Sequence, residues 1–351
     1  MRIIFDDVVY SLQKAGGISV MWAHITSSSP YESLHIQYDN APNNVFSEKL
    51  NDHKYDIRSS KGLQFKRYLN IKYDSKEPFL FHSSYFRYCI SPNAINITNV
   101  YDFIYEYYHH KPKDLLHKIQ KKNAVMHSDG VICISESTKN DLLKFYPNYK
   151  GEVRVIYCGY DTETYYYEKV PKQKIVLCVG GRKNHKRFDY TIEIMKHLPD
   201  CKLVLVGGGA VTEEERALLD DSIPGRYEKA GYLSNDELRG LYNKAFFLSY
   251  CSDYEGFGIP PIEAQACGCP VVCQATSSLT EVVEDSAIIF DPKNIEQTIE
   301  NIKKLYDDDY YRIIVEKGLD NVKRFSWEKC KSEVYDFYTY ILNKKGISLN
   351  I

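Results

Sequence analysis

Residues 255–263 read EGFGIPPIE, which places two carboxylates on either side of a glycine-aromatic-glycine turn and the start of a helix. Pro261 suits the first position of a helix, where a missing N–H costs nothing, and Gly268 suits the position just past its end. This spacing predicts Glu263 in the first turn of a short helix and Glu255 on the loop before it.

The same stretch predicts a binding site for a sugar joined to phosphate. Gly256 and Gly258 lack a Cβ, so the backbone there can approach a ligand closely. Free N–H groups at a helix start attract anions, and the two carboxylates can accept hydrogen bonds from hydroxyls. A nucleotide sugar carries both phosphates, which the N–H groups can bind, and hydroxyls, which the carboxylates can bind. The structural alternative is that Glu263 only favours the helix dipole, but one motif supplies every part of such a site.

The C-terminal half of the sequence alternates between strand and helix patterns. Residues 175–179 form a continuous apolar run, as in a strand buried on both faces. Phe188, Ile192 and Met195 follow at helical spacing, and residues 203–206 form the next strand. This alternation predicts a parallel α/β sheet of the Rossmann type, which binds ligands beyond the carboxyl ends of its strands.

Weaker patterns complete the organisation. Ser278 and Glu281 have the spacing of a capping box that opens another helix, and we assign Glu281 to that cap first. Further strand candidates are 2–5, 79–81, 95–100, 131–134, 245–249 and 271–273.

The stretch 255–263 resembles the Glu-x7-Glu signature of retaining GT-B glycosyltransferases of family 4, the group 1 enzymes of bacterial surface-polysaccharide clusters. The run AQACGCPVV at 264–272 resembles that family too. The resemblance covers essentially the whole chain and implies two Rossmann-like α/β domains facing a central cleft. We expect an acceptor-side domain at 1–167, joined by a returning helix at 328–351, and a nucleotide-sugar domain at 168–327.

Residues 181–188 read GRKNHKRF and follow a predicted buried strand. Arg182 offers a bidentate fork and Lys186 a mobile point charge, so both are placed to neutralise a diphosphate leaving group without a metal ion. The stretch resembles the family's Gly-x-Arg-x3-Lys motif, which favours Lys186 over Lys183 and Arg187. The alternative is a basic loop without a ligand.

The resemblance also implies roles around the donor. Glu263 would hold the ribose hydroxyls, while Glu255 and the N–H groups near Phe257 and Gly258 would hold the sugar hydroxyls. The remaining donor-binding candidates are Gly256, Ile259 and Tyr232, the last lying where relatives touch the base through their backbone.

Two candidate segments come from the N-terminal half. Gly16 and Gly17 resemble the family's N-terminal glycine loop near the diphosphate, although an ordinary β–α turn is the alternative. Tyr101 and Asp102 occupy the positions where most relatives carry His-Asp. Asp102 matches the family, so its family role is predicted here too. Tyr101 has no imidazole, which puts any role that depends on the histidine in doubt. The catalytic candidates are Glu255, Asp102, Arg182 and Lys186.

Charge patterning excludes a general nucleic-acid footprint, because 45 basic and 47 acidic residues give a net charge of −2. Residues 49–76 nevertheless hold eight basic and three acidic side chains. Such clusters either dock on anionic lipid or a phosphate-bearing acceptor, or form a solvated face. A second cluster consists of Lys111, Lys113, Lys118, Lys121 and Lys122.

Targeting signals and metal motifs are weak. No apolar run is long enough to span a bilayer, and the N-terminus acquires acids too early for a signal peptide. The ten cysteines are scattered, as expected of reduced core thiols, and Cys267-Gly268-Cys269 lacks zinc-site spacing. We therefore expect a cytoplasmic protein without a metal or cofactor, in peripheral contact with the inner face of the cell membrane.

The sequence thus predicts transfer of a hexose-type sugar from a nucleotide diphospho-sugar to a glycan or lipid-linked acceptor, in O-antigen or capsule synthesis. The resemblance implies retention of anomeric configuration, with the leaving diphosphate helping to deprotonate the acceptor. One alternative is an epimerase or hydrolase of nucleotide sugars on the same fold. Another is a non-catalytic sugar-nucleotide-binding subunit, against which the intact Glu255 and Lys186 count.

Overall fold

The computed structural model describes residues 1–14, 16–41, 44–46, 53–109, 111–182 and 184–347, apart from the side chains of residues 113 and 184. The chain divides into two compact units, residues 1–159 with 327–351 and residues 160–326. The division precedes the expected boundary between residues 167 and 168. Residues 160–174 belong to the second unit because their backbone bonds to it. Glu168 N donates to Asn243 Oδ1 at 2.6 Å, and Gln173 N donates to Lys244 O at 2.7 Å.

In the described part of the first unit, seven strands form one parallel sheet in the order β3-β2-β1-β4-β5-β6-β7. Its strands are β1 (Ile3–Asp6), β2 (Ser33–Tyr38), β3 (Lys54–Arg58), β4 (Phe79–Ser83), β5 (Ala94–Val100), β6 (Gly130–Cys133) and β7 (Glu152–Val155). Its helices are α1 (Val9–Leu12), α2 (Gly17–Thr26), α3 (Leu63–Lys66), α4 (Ile104–Tyr108), α5 (Pro112–Met126) and α6 (Glu136–Phe145).

The C-terminal helix (Trp327–Lys344) packs on the first unit, as predicted. Its buried side is apolar and aromatic, so it completes the core beside α2. Trp327 stacks on His24 with ring centroids 4.7 Å apart, and Tyr335 Oη donates to the carbonyl of Ile25 at 3.1 Å. The last helix therefore belongs to the fold of the N-terminal unit although it is distant in sequence.

In the described part of the second unit, six parallel strands run in the order β10-β9-β8-β11-β12-β13. They are β8 (Ile175–Val179), β9 (Lys202–Val206), β10 (Tyr227–Gly231), β11 (Phe247–Tyr250), β12 (Val271–Cys273) and β13 (Ile288–Ile289). The helices are α7 (Phe188–Lys196), α8 (Glu213–Ser222), α9 (Asn235–Lys244), α10 (Ile259–Ala266), α11 (Leu279–Val283), α12 (Ile295–Lys303) and α13 (Asp308–Asn321).

Both sheets confirm the predicted Rossmann-like class. All ten cysteines are buried and form no disulfide. Among the described helices, none is both long and apolar enough to cross a membrane.

Candidate functional site

The strand order of the second sheet reverses between β8 and β11. The chain leaves β8 toward β9 on one side and later returns to β11 on the other. In open α/β sheets the crevice at such a reversal, beyond the carboxyl ends of the strands, is where ligands bind. The loop after β8 carries Arg182 and Lys186, and the loop after β11 carries Glu255, so the two predicted motifs meet at this point.

Lys186 and Glu255 form an ion pair across the reversal. Lys186 Nζ donates to both carboxylate oxygens of Glu255, at 2.6 and 2.8 Å. The Glu255 side chain is 8% exposed and that of Lys186 is 25% exposed. Tyr250, at the end of β11, also bonds to Glu255, and burial together with this carboxylate raises the pKa of Tyr250. Lys186, which is predicted to bind phosphate, and Glu255, which is predicted to bind the sugar, are therefore paired with each other in this structure.

The loop that carries Glu255 is fixed by two serines. Glu255 N donates to Ser277 Oγ at 2.7 Å, while Ser278 Oγ donates to the carbonyls of Glu255 and Phe257 at 2.9 and 2.8 Å. Phe257 is buried edge-on against Phe325, with ring centroids 5.7 Å apart. The predicted capping box at Ser278 is therefore wrong. Helix α11 does begin after Ser278, but the hydroxyl bonds the loop rather than the helix.

Helix α10 begins earlier than the prolines suggested. Its N-cap is Gly258, at φ 115°, and Ile259 is its first residue. Pro261 is therefore third rather than first, and Glu263 lies in the second turn rather than the first. The left-handed backbone at Gly258 makes this early start accessible. A Cβ there would lie 2.9 Å from Leu279 Cδ2.

The end of α10 agrees with the prediction. Gly268 follows the C-cap at φ 64°, and its N–H donates to the carbonyl of Gln265 at 2.9 Å. Cys269 N donates to the carbonyl of Ala264 at 2.9 Å. These two bonds are a Schellman motif, for which glycine is preferred.

Glu263, on α10, is half-buried beside Tyr242 of α9. Burial raises the pKa of Glu263 to about 7, and the charge of Asp161 adds to the increase. Tyr242 Oη donates to Glu263 Oε2 at 3.4 Å and opposes the shift. Near neutral pH this carboxyl therefore exchanges between an ionised form, which only accepts hydrogen bonds, and a protonated form, which also donates one.

Arg182 is engaged with a glycine loop. Its Nη1 donates to the carbonyl of Gly207 at 3.1 Å, and its Nη2 donates to that of Ala210 at 3.1 Å. Nη2 also lies 3.3 Å from Gly209 O and from Glu215 Oε2. Among the described residues, no partner bonds the buried Nε. The predicted contact with phosphate stays a prediction, and it requires Arg182 to exchange some of these bonds.

Glu215 also caps the start of helix α8. Its Oε2 accepts a hydrogen bond from Thr212 N at 3.0 Å, and Thr212 Oγ1 accepts one from Glu215 N at 3.1 Å. This reciprocal pair is the capping box that opens α8. One carboxylate thus joins Arg182 to the start of the helix that follows the glycine loop.

Arg187, one of the two alternatives to Lys186, has carboxylate partners of its own. Its Nη2 pairs with Asp189 at 2.7 Å, and its Nη1 lies 3.3 Å from Asp253 Oδ1. The other alternative, Lys183, lies outside the described residues. Among the described residues of this loop, Lys186 is the cation that pairs with Glu255.

The other predicted donor contacts involve backbone. Gly256 is buried and Ile259 is half-buried. Gly231 adopts φ 77°, and its carbonyl accepts a hydrogen bond from Gly207 N at 2.8 Å. The side chain of Tyr232 is 85% exposed. A contact between base and backbone at Tyr232 stays a prediction.

Gly16 and Gly17 lie at the start of α2, in the first unit. Gly16 is the N-cap, in extended backbone, and Gly17 is the first helical residue. A Cβ at Gly16 would lie 2.8 Å from Gln13 Oε1. The segment thus opens α2 after the short helix α1, and its contact with a diphosphate stays a prediction.

Asp102 and Tyr101 follow β5. Asp102 Oδ1 accepts a hydrogen bond from Ile104 N at 3.0 Å, and the carbonyl of Asp102 accepts one from Lys121 Nζ at 2.8 Å. Tyr101 is buried, and its hydroxyl donates to the carbonyl of Ser84 at 3.1 Å. The tyrosine that replaces the family's histidine is therefore held in the core by its hydroxyl.

The second basic cluster needs a correction. Lys121 is buried rather than exposed, and its Nζ pairs with Glu106 Oε2 at 2.7 Å. The sequence could not reveal this long-range partner. Residues 49–52 of the first cluster and the side chain of Lys113 lie outside the described part of the chain. Lys111 and Lys122 are exposed, and Lys118 is half-buried.

Family comparisons agree with this geometry. The family model of glycosyl transferases group 1 matches residues 164–320, and that of glycosyltransferase family 4 matches residues 45–164. Together the two models match residues 45–320, and both identify the chain as a glycosyltransferase.

Individual relatives match parts of the chain. The O-antigen chain mannosyltransferase B of Escherichia coli is 40% identical over 109 residues, which are 31% of this chain and 29% of that protein. The O-antigen chain mannosyltransferase RfbU of Salmonella typhimurium is 28% identical over 211 residues, which are 58% of this chain and 60% of that protein. The chain thus spans less than two thirds of the length of either relative.

A solved structure supports the fold. Anabaena HepE in complex with UDP-glucose aligns with 97% of this chain and 100% of its own chain, at a TM-score of 0.70 and 16% identity. This likeness confirms the predicted GT-B fold.

Sequence reasoning missed several residues of this candidate site. They are Tyr242, Tyr250, Ser277 and Glu215, which support the predicted ligand-binding residues from other segments. Tyr250 carried a signal, because it directly follows the predicted strand at 245–249. Thr212 and Glu215 have the spacing of a capping box, but the contact of Glu215 with Arg182, like the contacts of Tyr242 and Ser277, joins distant segments.

Proposed function

We propose that this chain is a retaining glycosyltransferase that moves a hexose-type sugar from a nucleotide diphospho-sugar to a glycan or lipid-linked acceptor in surface-polysaccharide synthesis. The observation that carries the proposal is the Lys186–Glu255 pair at the strand reversal. It brings a phosphate-binding cation and a hydroxyl-binding carboxylate together beside a helix start. The names of the Escherichia coli and Salmonella relatives favour mannose as the sugar.

In this proposal, donor binding exchanges the partners of the pair. Lys186 turns to the diphosphate and Glu255 accepts hydrogen bonds from the sugar hydroxyls. Neither charge is then left buried without a partner, which would be costly. The N–H groups at the start of α10 add positive potential, and Glu263 holds the ribose hydroxyls.

Chemistry follows from charge that grows on the leaving group. The bond between the anomeric carbon and the diphosphate oxygen breaks, and the diphosphate takes the electron pair. Lys186 and Arg182 stabilise this growing charge, so they lower the free energy of the transition state more than that of the ground state. The departing diphosphate helps to remove the proton of the acceptor hydroxyl, which attacks on the same face, so configuration is retained. Because the cations are side chains, we propose that no metal is required.

Other predicted parts remain within the proposal. Gly16, Gly17 and Asp102 take the roles that the family resemblance implies, and Tyr232 marks the base contact. We further propose that the protein works in the cytoplasm in peripheral contact with an anionic membrane.

The test is a product analysis by NMR. The purified chain is incubated with GDP-mannose or UDP-glucose and a panel of lipid-linked oligosaccharides, with and without EDTA. We expect a new glycosidic bond with the anomeric configuration of the donor, formed equally well in EDTA. Free sugar or an isomerised donor as the only product would favour the hydrolase or epimerase. Nucleotide binding without turnover for any acceptor would favour the binding subunit.

A further inference from the structure

Helix α5 exposes several large apolar side chains and buries several polar ones, although it also buries Ala124 and Val125. Its inward side carries Asp114, His117, Gln120 and Lys121, each at most 6% exposed. Its outward side carries apolar residues, whereas a helix on a soluble domain normally buries them. The exposed fractions are 57% for Leu115, 47% for Leu116 and 45% for Ile119.

The inward polar groups fix this orientation. Lys121 Nζ pairs with Glu106 at 2.7 Å and lies 4.6 Å from the centre of the Phe103 ring. Asp114 Oδ2 accepts a hydrogen bond from Lys111 N at 3.1 Å. Turning the helix to bury its leucines would break a buried ion pair, so the leucines stay outside.

A neighbouring segment extends the exposed apolar area. Gln120 Nε2 donates to the carbonyl of Arg67 at 2.6 Å, which places the segment around α3 beside α5. Phe65 is 74% exposed and Leu69 is 63% exposed. We call Phe65, Leu69, Leu115, Leu116 and Ile119, together with the lysines around them, the apolar–basic face.

The charges of this face have one sign. No acidic residue occurs from 57 to 73, and the one acid of α5, Asp114, is buried. The chain as a whole has a net charge of −2, so the positive charge is local. The exposed or half-buried lysines are Lys61, Lys66, Lys72, Lys111, Lys118 and Lys122.

We propose that the apolar–basic face docks on the surface of an anionic lipid bilayer. The apolar side chains would enter the boundary between headgroups and acyl chains, and the lysines would meet anionic headgroups. A second copy of the chain fits less well, because it would set lysines against lysines. This inference deepens the peripheral membrane contact of the proposed function and names the surface that makes it.

The experiment is co-sedimentation with vesicles. The full chain is mixed with vesicles of phosphatidylglycerol and phosphatidylcholine or of phosphatidylcholine alone, at low and high salt. We expect binding to the anionic vesicles, weaker binding at high salt because the charges are screened, and little binding to phosphatidylcholine alone. Equal binding to both vesicles, or none to either, would overturn the proposal.

Two variants test the surface itself. Lys111→Ala with Lys122→Ala should weaken vesicle binding roughly 25-fold, at about five-fold per lysine. Leu115→Gln, Leu116→Gln and Ile119→Gln together should weaken it on the order of ten-fold or more, because exposed apolar area is lost. Circular dichroism melting curves check that both variants remain folded.

Matched controls lie on other surfaces. Leu143, Leu218 and Ile313 are 40–47% exposed, and glutamine at these three positions should leave vesicle binding unchanged. Lys293→Ala with Lys303→Ala serves likewise for charge. An equal loss of binding in the controls would contradict the assignment to this face. So would a dimer in light scattering that the α5 triple variant abolishes while vesicle binding persists.

The outcome is separable from the proposed function. The α5 variants should keep their affinity for nucleotide diphosphates, and Glu255→Gln should keep vesicle binding. Transfer to a water-soluble acceptor without vesicle binding would refute the docking face alone. Vesicle binding without transfer would refute the enzyme alone.

Discussion

The two sheets of this chain reverse their strand order in the same way and place an ion pair at each reversal, but the two pairs differ in access. In the first unit, Asp6 at the end of β1 pairs with Arg87 in the loop after β4, and these side chains are 0% and 1% exposed. In the second, Lys186 and Glu255 are 25% and 8% exposed. One pair is sealed, while the cation of the other reaches solvent.

The surroundings of the pairs explain the difference. Asp6 Oδ2 accepts hydrogen bonds from Ser83 Oγ at 2.7 Å and from Arg87 Nε at 2.8 Å, and Arg87 Nη1 donates to Tyr38 Oη at 2.9 Å. A ligand would have to replace several buried bonds at once. Lys186 is held mainly by one carboxylate. The same topology therefore yields a structural pair in one sheet and an exchangeable pair in the other.

The largest expected effect is on the sealed pair. Asp6→Asn leaves the Arg87 charge buried without its partner, so the free energy of unfolding should fall by roughly 3–5 kcal/mol. Urea denaturation followed by circular dichroism measures the change. Glu255→Gln, the matched change at the exchangeable pair, leaves Lys186, which is 25% exposed and reaches solvent, so it should cost only about 1 kcal/mol. Similar losses at both positions would remove the distinction between the pairs.

The next effect is on turnover. Glu255→Gln removes a charge that faces the sugar, so transfer should fall by roughly 10²-fold, the scale of one preorganised contact. Affinity for a bare nucleotide diphosphate should stay within a few-fold, because that ligand lacks the sugar and Lys186 is released to meet it. Initial rates and calorimetric titration separate the two quantities. A loss of nucleotide affinity as large as the loss of rate would argue against the role of Glu255 in sugar binding.

A weaker effect is expected from Glu263→Ala. The change removes hydrogen bonds between a carboxylate and the ribose, worth roughly 1.5–3 kcal/mol. That corresponds to about 10- to 150-fold in the affinity for the nucleotide diphosphate, which calorimetry can measure. Glu281→Ala is the control, because that acid lies on a neighbouring short helix. If Glu263→Ala binds as well as the wild type, Glu263 is a structural residue of α10.

These positions also show how far the sequence reaches. Strand β8 was predicted with its observed bounds, since an apolar run buried on both faces leaves little ambiguity. The start of α10 was placed two residues late because the prolines suggested a later first turn, whereas Gly258 is the N-cap at φ 115°. The hydroxyl of Ser278 was predicted to cap α11, but it donates hydrogen bonds to carbonyls of the preceding loop instead. Local patterns therefore located the motifs, whereas contacts between segments decided their geometry.

Strands β2 and β3 were missed for a related reason. In β2 three of the six residues are buried, and in β3 none of the five is. Neither presents the continuous apolar run that identified the central strands. Their place is set by the pairing of β2 with β1 and of β3 with β2, which the sequence does not display.

The pH dependence of stability should show the raised pKa of Glu263. Its value of about 7 lies above the ordinary 4.5, so folding favours the protonated form. Wild-type stability should therefore fall as pH rises from about 4.5 through 7, relative to Glu263→Gln, by up to about 3 kcal/mol. Denaturation curves of both proteins at several pH values measure it. Parallel curves would mean that the carboxyl titrates as it does in the unfolded chain.

The smallest effect concerns Arg182, whose guanidinium is shared between the glycine loop and Glu215. Glu215→Gln keeps a residue that can close the capping box of α8 but removes the charge that competes with phosphate for Arg182. Affinity for a nucleotide diphosphate should therefore rise by roughly two- to five-fold, the scale of one hydrogen bond of about 0.5–1 kcal/mol, because Arg182 keeps its bonds to the carbonyls of the glycine loop. Glu237→Gln is the matched control, because Glu237 closes the capping box of α9 with Ser234. If Glu215→Gln weakens nucleotide binding while the control does not, Arg182 acts as a clamp on the glycine loop, and Lys186 must neutralise the diphosphate without it.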